Sequence, residues 1–176
     1  MRNELREKLI YPAIAASLYA ALTMLLAPIS YGAIQFRLSE ALCVLPFFFP
    51  YTSVGLFLGC AAANTLSAAG LLDVVFGSLA TLGAGLCTAA LGRKVRRSAE
   101  KAAFPRRLAA CLSPVLWNGA VVGAVLAASF SPGDAFWSGF WLFGGQVALG
   151  ELGVMLLLGL PLLSLLPRLF RQDTSE

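Results

Sequence analysis

Apolar runs recur along the chain at intervals that suit membrane-crossing helices, and polar residues are confined to short breaks between them. A spanning helix needs about 20 mostly apolar residues at about 1.5 Å each. On that measure the pattern predicts six helices, at residues 9–29, 36–49, 52–69, 72–91, 108–130 and 135–166. The second is short for a bilayer and carries Pro46, with Pro50 just beyond it, so it is expected to be bent. Gly70 closes the third helix, Gly92 the fourth, and Ser131-Pro132-Gly133-Asp134 reads as a turn before the sixth. The sixth apolar run is longer than a bilayer requires, so its first part is expected at the interface or tilted, and Pro167 is expected to stop it. The first run has a charged lead like a secretory signal, but its apolar core is longer than a signal's and more spans follow, so it reads as a transmembrane helix.

Composition agrees with this architecture. Charged residues make up 12% of the 176 and hydrophobic ones 59%, about half the charge of a soluble domain. The expected fold class is an all-α integral membrane protein with six transmembrane helices in one domain covering 1–176. Twelve of the thirteen Lys and Arg residues fall before the first helix, in the basic loop 93–107, or after the last helix. Six spans put these three regions on one side, and the positive-inside rule makes that side, with both termini, cytoplasmic. The same rule explains the basic loop, which lacks the interleaved aromatics of a nucleic-acid site and is left open to anionic lipid or a cytoplasmic partner.

The exception is Arg37, three residues before Glu40 in YGAIQFRLSEALCVLP (31–46). Ionisable groups at membrane depth are costly and mark candidate sites. The short list is Arg37, Glu40, Asp73 and Glu151, joined by the amides Gln35, Asn64, Asn118 and Gln146 and the flat surfaces of Trp117 and Trp141. The spacing of Arg37 and Glu40 fits a pair on one helix face. That leaves Glu40 as the sharper ligand, because a carboxylate accepts two parallel N–H bonds. Asp73, at the start of the fourth helix, also fits an N-terminal cap. Glu151 lies deep in the sixth helix among glycines and fits either a pocket or an interhelical hydrogen bond.

In the first helix Ala16 and Ala20 form one small-residue row, and Ala13, Ser17 and Ala21 form a second. Either permits close contact with another helix, of this chain or of another subunit. Four single cysteines, no Cys-x-x-Cys and no histidine leave no zinc-type ligand set, and the cysteines read as small buried hydrophobes. With no phosphate-cradling loop and no nucleophile–base pair, the chain reads as neither an enzyme nor an ATPase, with no cofactor expected. The residues alone thus point to a six-helix binder or carrier of a small polar solute. A substrate-binding subunit, a stand-alone secondary transporter or facilitator, and a non-transporting assembly subunit all remain open, although no internal repeat of the kind built into many secondary transporters is visible.

The segments YGAIQFRLSEALCVLPFF (31–48), GLFLGCAAANTLSAAGLLDVVFGSLATL (55–82) and QVALGELGVMLLLGLPLL (146–163) resemble the QueT family. These are substrate-binding S components of energy-coupling-factor (ECF) transporters for queuosine precursors. The resemblance implies an S-component bundle in a prokaryotic cell membrane, with a coupling transmembrane subunit and two ATPases as partners. It also implies a 7-deazaguanine ligand such as preQ1, and a contact of the Ala16-x-x-x-Ala20 type with the coupling subunit. Chemistry then assigns the two carboxylates to Glu40 and Glu151, further edges to Gln146 and Asn118, and stacking to Trp117.

Overall fold

The computed structural model describes residues 2–32, 35–98 and 104–172, which are helical throughout apart from short turns and contain no strand. We number six helical elements in chain order. Helix α1 covers 2–30, with a π-turn at Arg6–Ile10 and a break at Leu26. Pro12 and Pro28 each sit in the first positions of the α segment that follows an interruption, where the missing N–H costs nothing. Helix α2 is Leu38–Phe47, α3 is Thr52–Asn64, α4 covers 73–98, α5 is Phe104–Phe130 and α6 covers 133–172.

Four of these are long and apolar enough to cross a membrane: Lys8–Leu25, Asp73–Val95, Phe104–Phe130 and Gly133–Leu166. The other two, Leu38–Phe47 and Thr52–Asn64, are apolar but short. Helix α2 is wound as a 3-10 helix over its whole length. At about 2.0 Å per residue that stretches ten residues to about 20 Å, as far as thirteen residues of α3 reach at 1.5 Å.

Several expected boundaries move. Helix α3 ends at Asn64, and turns carry the chain to Gly70, whose φ of +63° belongs to the left-handed region that glycine enters freely. The basic segment is largely helical, because α4 runs on to Ser98 and α5 begins at Phe104; its centre, 99–103, lies outside the described residues. Pro167 does not stop α6, which continues through Pro161 and Pro167 to Gln172. A proline already has a helical φ and forfeits a single hydrogen bond, so it can kink a helix without ending it. The π-turn at Met155–Gly159, just before Pro161, loosens the carbonyl ladder where the ring needs room.

Small residues set the closest helix contacts, as expected where lipid supplies no apolar drive. Gly119 and Gly123 of α5 meet Gly144 of α6 backbone to backbone; a Cβ on Gly123 would lie 2.5 Å from the Gly144 Cα. Gly55 and Gly59 of α3 receive Pro12 and Ala16 of α1, and Gly92 of α4 lies on the Phe47 carbonyl of α2. Apolar clusters fill the rest, among them Val44, Phe47, Met155 and Leu163 where α2 meets α6. At the start of α6, Trp137 and Trp141 stand outward beside Phe136 and Phe140. Such a girdle suits a membrane–water interface.

Candidate functional site

The turns after α1 and α3, the end of α5 and the first half of α6 meet at one end of the bundle around a cavity of about 310 Å³. Gln35 and Gln146 line it from opposite elements, with Tyr31, Phe130 and Phe143 as aromatic walls. Gln35 has a φ of +47°, the only positive value among the described non-glycine residues. Holding a glutamine there costs about 1–2 kcal/mol. Local hydrogen bonds pin it, from the Gln35 N–H to the Gly32 carbonyl (3.0 Å) and from the Arg37 N–H to the Gln35 carbonyl (2.9 Å). The next residue, Phe36, lays its ring on Gly153 and so seats this loop against α6 beside Glu151.

A buried polar cluster joins the same elements. Arg37 is in extended backbone before α2, with its guanidinium over the Tyr31 ring at 5.1 Å and its Nη2 3.4 Å from Asp73 Oδ2. Its ion pair is therefore with Asp73 of α4, not with Glu40. The helix-face spacing does not apply, because Arg37 precedes the helix rather than lying in it. Asp73 makes no cap; its carboxylate is wholly buried, above Gly77, and Asn64 donates to its backbone carbonyl at 2.9 Å. Tyr31, just beyond α1, donates its hydroxyl to the Ala63 carbonyl at 2.6 Å, and burial pushes its phenol up from its ordinary value.

Glu40 is wholly buried, and both its oxygens accept from the chain itself: Oε1 from the Tyr19 hydroxyl and Oε2 from the Cys43 thiol at 3.0 Å. Thr23 and Ser39 continue this α1–α2 seam through a 2.6 Å contact. Cys43 is thus a donor, and Cys60 accepts from Thr81 at 3.3 Å and from Asn64 at 3.5 Å. Only Cys87 is exposed, against the expectation of burial. Glu151 is 2% exposed; the Asn118 carboxamide reaches its carboxyl, and Glu40 and Arg37 lie within electrostatic range. Five polar atoms of this region have no hydrogen-bond partner among the described residues: Glu151 Oε1, Asn118 Oδ1, Asn64 Oδ1, Asp73 Oδ1 and Arg37 Nε. Buried polar groups are nearly always paired, so five such atoms together single this cluster out as the candidate site.

The structure thus gathers Arg37, Glu40, Asp73, Asn118 and Glu151 in one cluster and sets Gln35 and Gln146 on one cavity. Trp117 is not among them. It is 40% exposed, with its ring on Gly83 of α4, because consecutive helical residues point about 100° apart and Asn118 turns inward. The aromatic surfaces facing the cavity are Tyr31, Phe130 and Phe143. Ala16 is also engaged within the chain, against Gly59, while Ala20 is half-buried and Ala13, Ser17 and Ala21 are exposed. Sequence reasoning passed over Tyr19. A hydroxyl in a helix of alanines and leucines needs a partner, and that signal was available.

Comparison with known proteins gives a consistent picture. Residues 9–168 match the model of a family described as QueT transporter. A 72-residue stretch is 46% identical to a protein of Lactococcus lactis subsp. cremoris (strain MG1363) named queuosine precursor transporter QueT. That alignment covers 40% of this chain and 42% of the relative, so it spans less than half of either. No solved structure matches the chain.

Proposed function

The chain belongs to the QueT transporter family, a family of membrane transporters rather than enzymes, and from that premise we propose that it captures a 7-deazaguanine queuosine precursor, such as preQ1. In this reading it is the S component of an ECF transporter in a prokaryotic cell membrane, a single multi-pass domain whose two short helices complete six spans. Both termini and the basic segment face the cytoplasm, and the cavity faces outward. The distribution of Lys and Arg supports this orientation, as does the tryptophan girdle near the cavity end of α6.

One observation carries the substrate assignment. The helices that line the cavity through Gln146 and Leu126 also carry, about one to two turns further along, a buried carboxyl, Glu151, and an amide, Asn118, each with an acceptor oxygen unpartnered. A guanine-like edge presents adjacent N–H donors that a carboxylate receives in parallel. Tyr31, Phe130 and Phe143 offer the stacking surface in place of Trp117. Glu151 and Asn118 are the edge readers, Gln35 and Gln146 close the cavity around the ring, and Arg37 with Asp73 fixes the loop.

ATP-driven inward movement requires a coupling transmembrane subunit and two ATPases. With Ala16 seated on α3, the face left for the coupling subunit is the exposed row Ala13, Ser17 and Ala21, with Ala20 at its edge. Reconstitution in liposomes tests this. Uptake of a labelled 7-deazaguanine is expected only when the ECF module and internal ATP are present. Uptake by the chain alone, without ATP, overturns the S-component reading. It favours a stand-alone secondary transporter, for which the buried Glu151 is the natural proton-coupling carboxyl.

A further inference from the structure

The cavity is walled by two kinds of chain. Phe130 and Gln146 stand on α5 and α6, which meet backbone to backbone at Gly123 and Gly144. Tyr31 and Gln35 after α1, and Ser67 after α3, stand on turns. The backbone bonds of these turns stay local, from the Gln35 N–H to the Gly32 carbonyl and from the Gly70 N–H to the Ser67 carbonyl, each 3.0 Å. They shape each turn without holding one turn to the other. Side chains do that, in a closed circuit. The Tyr31 hydroxyl donates to the Ala63 carbonyl, in the last turn of α3, at 2.6 Å. The Arg37 guanidinium lies over the Tyr31 ring at 5.1 Å and reaches Asp73 Oδ2 at 3.4 Å. Asn64, next to Ala63, donates its amide to the Asp73 carbonyl at 2.9 Å and returns the circuit to α3. Of these five residues, Tyr31 alone also lines the cavity.

From this circuit we infer that Tyr31 is a positioning residue for ligand retention. Its ring is part of the wall and its hydroxyl is a tether, so it sets how far apart the two turns stand around whatever fills the cavity. The inference rests on the cavity being the ligand site, as read above. Losing the tether while keeping the ring frees the turns to part, and a bound ligand then leaves sooner. A neutral hydrogen bond corresponds to about a two- to tenfold change in an equilibrium, and changes at a binding surface fall mostly on the dissociation rate. Tyr31→Phe is therefore expected to speed dissociation by about two- to tenfold and to change association less. The substitution strands no acceptor, because the Ala63 carbonyl keeps the Leu66 N–H at 3.1 Å. Tyr31→Leu also removes the face on which Arg37 lies and should release the ligand faster still, by a further factor of about two or more.

The test is stopped-flow binding and release of 7-aminomethyl-7-deazaguanine by the purified full chain in nanodiscs, beside hydrogen exchange without ligand. Tyr31→Phe is expected to keep the wild-type stoichiometry, to release the probe faster by the factor above, and to exchange the amides of 65–72 faster while α5 and α6 are unchanged. A purely structural role would lower the active fraction and leave the release rate of the remaining protein at the wild-type value. That result, or an unchanged release rate at full stoichiometry, overturns the inference. If the probe binds neither protein, the substrate reading falls and hydrogen exchange decides the tether: faster exchange at 65–72 upholds it, and unchanged exchange overturns it.

Discussion

The buried ion pair makes an asymmetric prediction about stability. Arg37 is 5% exposed and Asp73 is fully buried, joined by one contact of 3.4 Å, with a second atom on each side unpartnered. An isolated pair of this kind would be expected to suffer similarly from loss of either member. Here the surroundings break the symmetry, because Glu40 and Glu151 are also near Arg37. Asp73→Asn leaves the guanidinium facing two other carboxyl groups and keeps an acceptor oxygen toward it. Its cost is about 1 kcal/mol, one hydrogen-bond's worth. Arg37→Met leaves three buried carboxyl groups with no cation among them, and its cost is about 3–5 kcal/mol, the range for stranding a buried charge. For a chain of this size each kcal/mol moves the thermal midpoint by about 2–4 °C. The midpoint of the purified chain in nanodiscs should therefore fall by a few degrees for Asp73→Asn and by about 6–20 °C for Arg37→Met. Asp73→Asn added to Arg37→Met should restore part of the loss, since it removes one of the stranded carboxylates. If Asp73→Asn costs as much as Arg37→Met, or the double variant is additive, the cluster does not share its one cation in the way described.

Other expectations concern binding, packing and docking. Glu151→Gln replaces one of the two acceptor oxygens that read the ring edge with an NH2 donor and should weaken ligand binding by about tenfold or more while the thermal midpoint holds, as read by calorimetry beside a melting curve. Gly123→Val places a side chain in the Gly144 backbone and should lower the thermal midpoint sharply, whereas Gly145→Ala, where no atom lies within 4 Å of an added Cβ, should leave it within about 1 °C. Ser17→Leu, on the exposed face of α1, should leave ligand affinity unchanged and abolish ATP-driven uptake with the ECF module; normal uptake would remove that face as the docking surface.

What the sequence shows of this fold follows the range of the forces involved. Hydrophobic run length depends on the bilayer, so the apolar helices, the short second one and the turn at Gly133 were all visible in it. The winding of α2 was not, because a ten-residue 3-10 helix is decided by how its ends are held, at Arg37 and at Phe48. The error over the Arg37 partner has the same origin: a three-residue spacing implies contact only inside a helix, and Arg37 stands outside one. Gathering Glu40, Asp73, Asn118 and Glu151 from four different helices is a tertiary event that no local pattern encodes. Trp117 could have been set aside in advance, since its neighbour Asn118 faces inward. Tyr19 could have been found, as a phenol hydroxyl one turn before Thr23 on the buried face of an alanine-rich helix.

The central claim is that this chain by itself holds the binding site for a 7-deazaguanine. Calorimetric titration of the purified chain with preQ1, and with thiamine and riboflavin as controls, tests it most directly. The account predicts saturable one-to-one binding of preQ1, weakened by Glu151→Gln, and no heat of binding from either vitamin. Binding of a vitamin with preQ1 silent would contradict it.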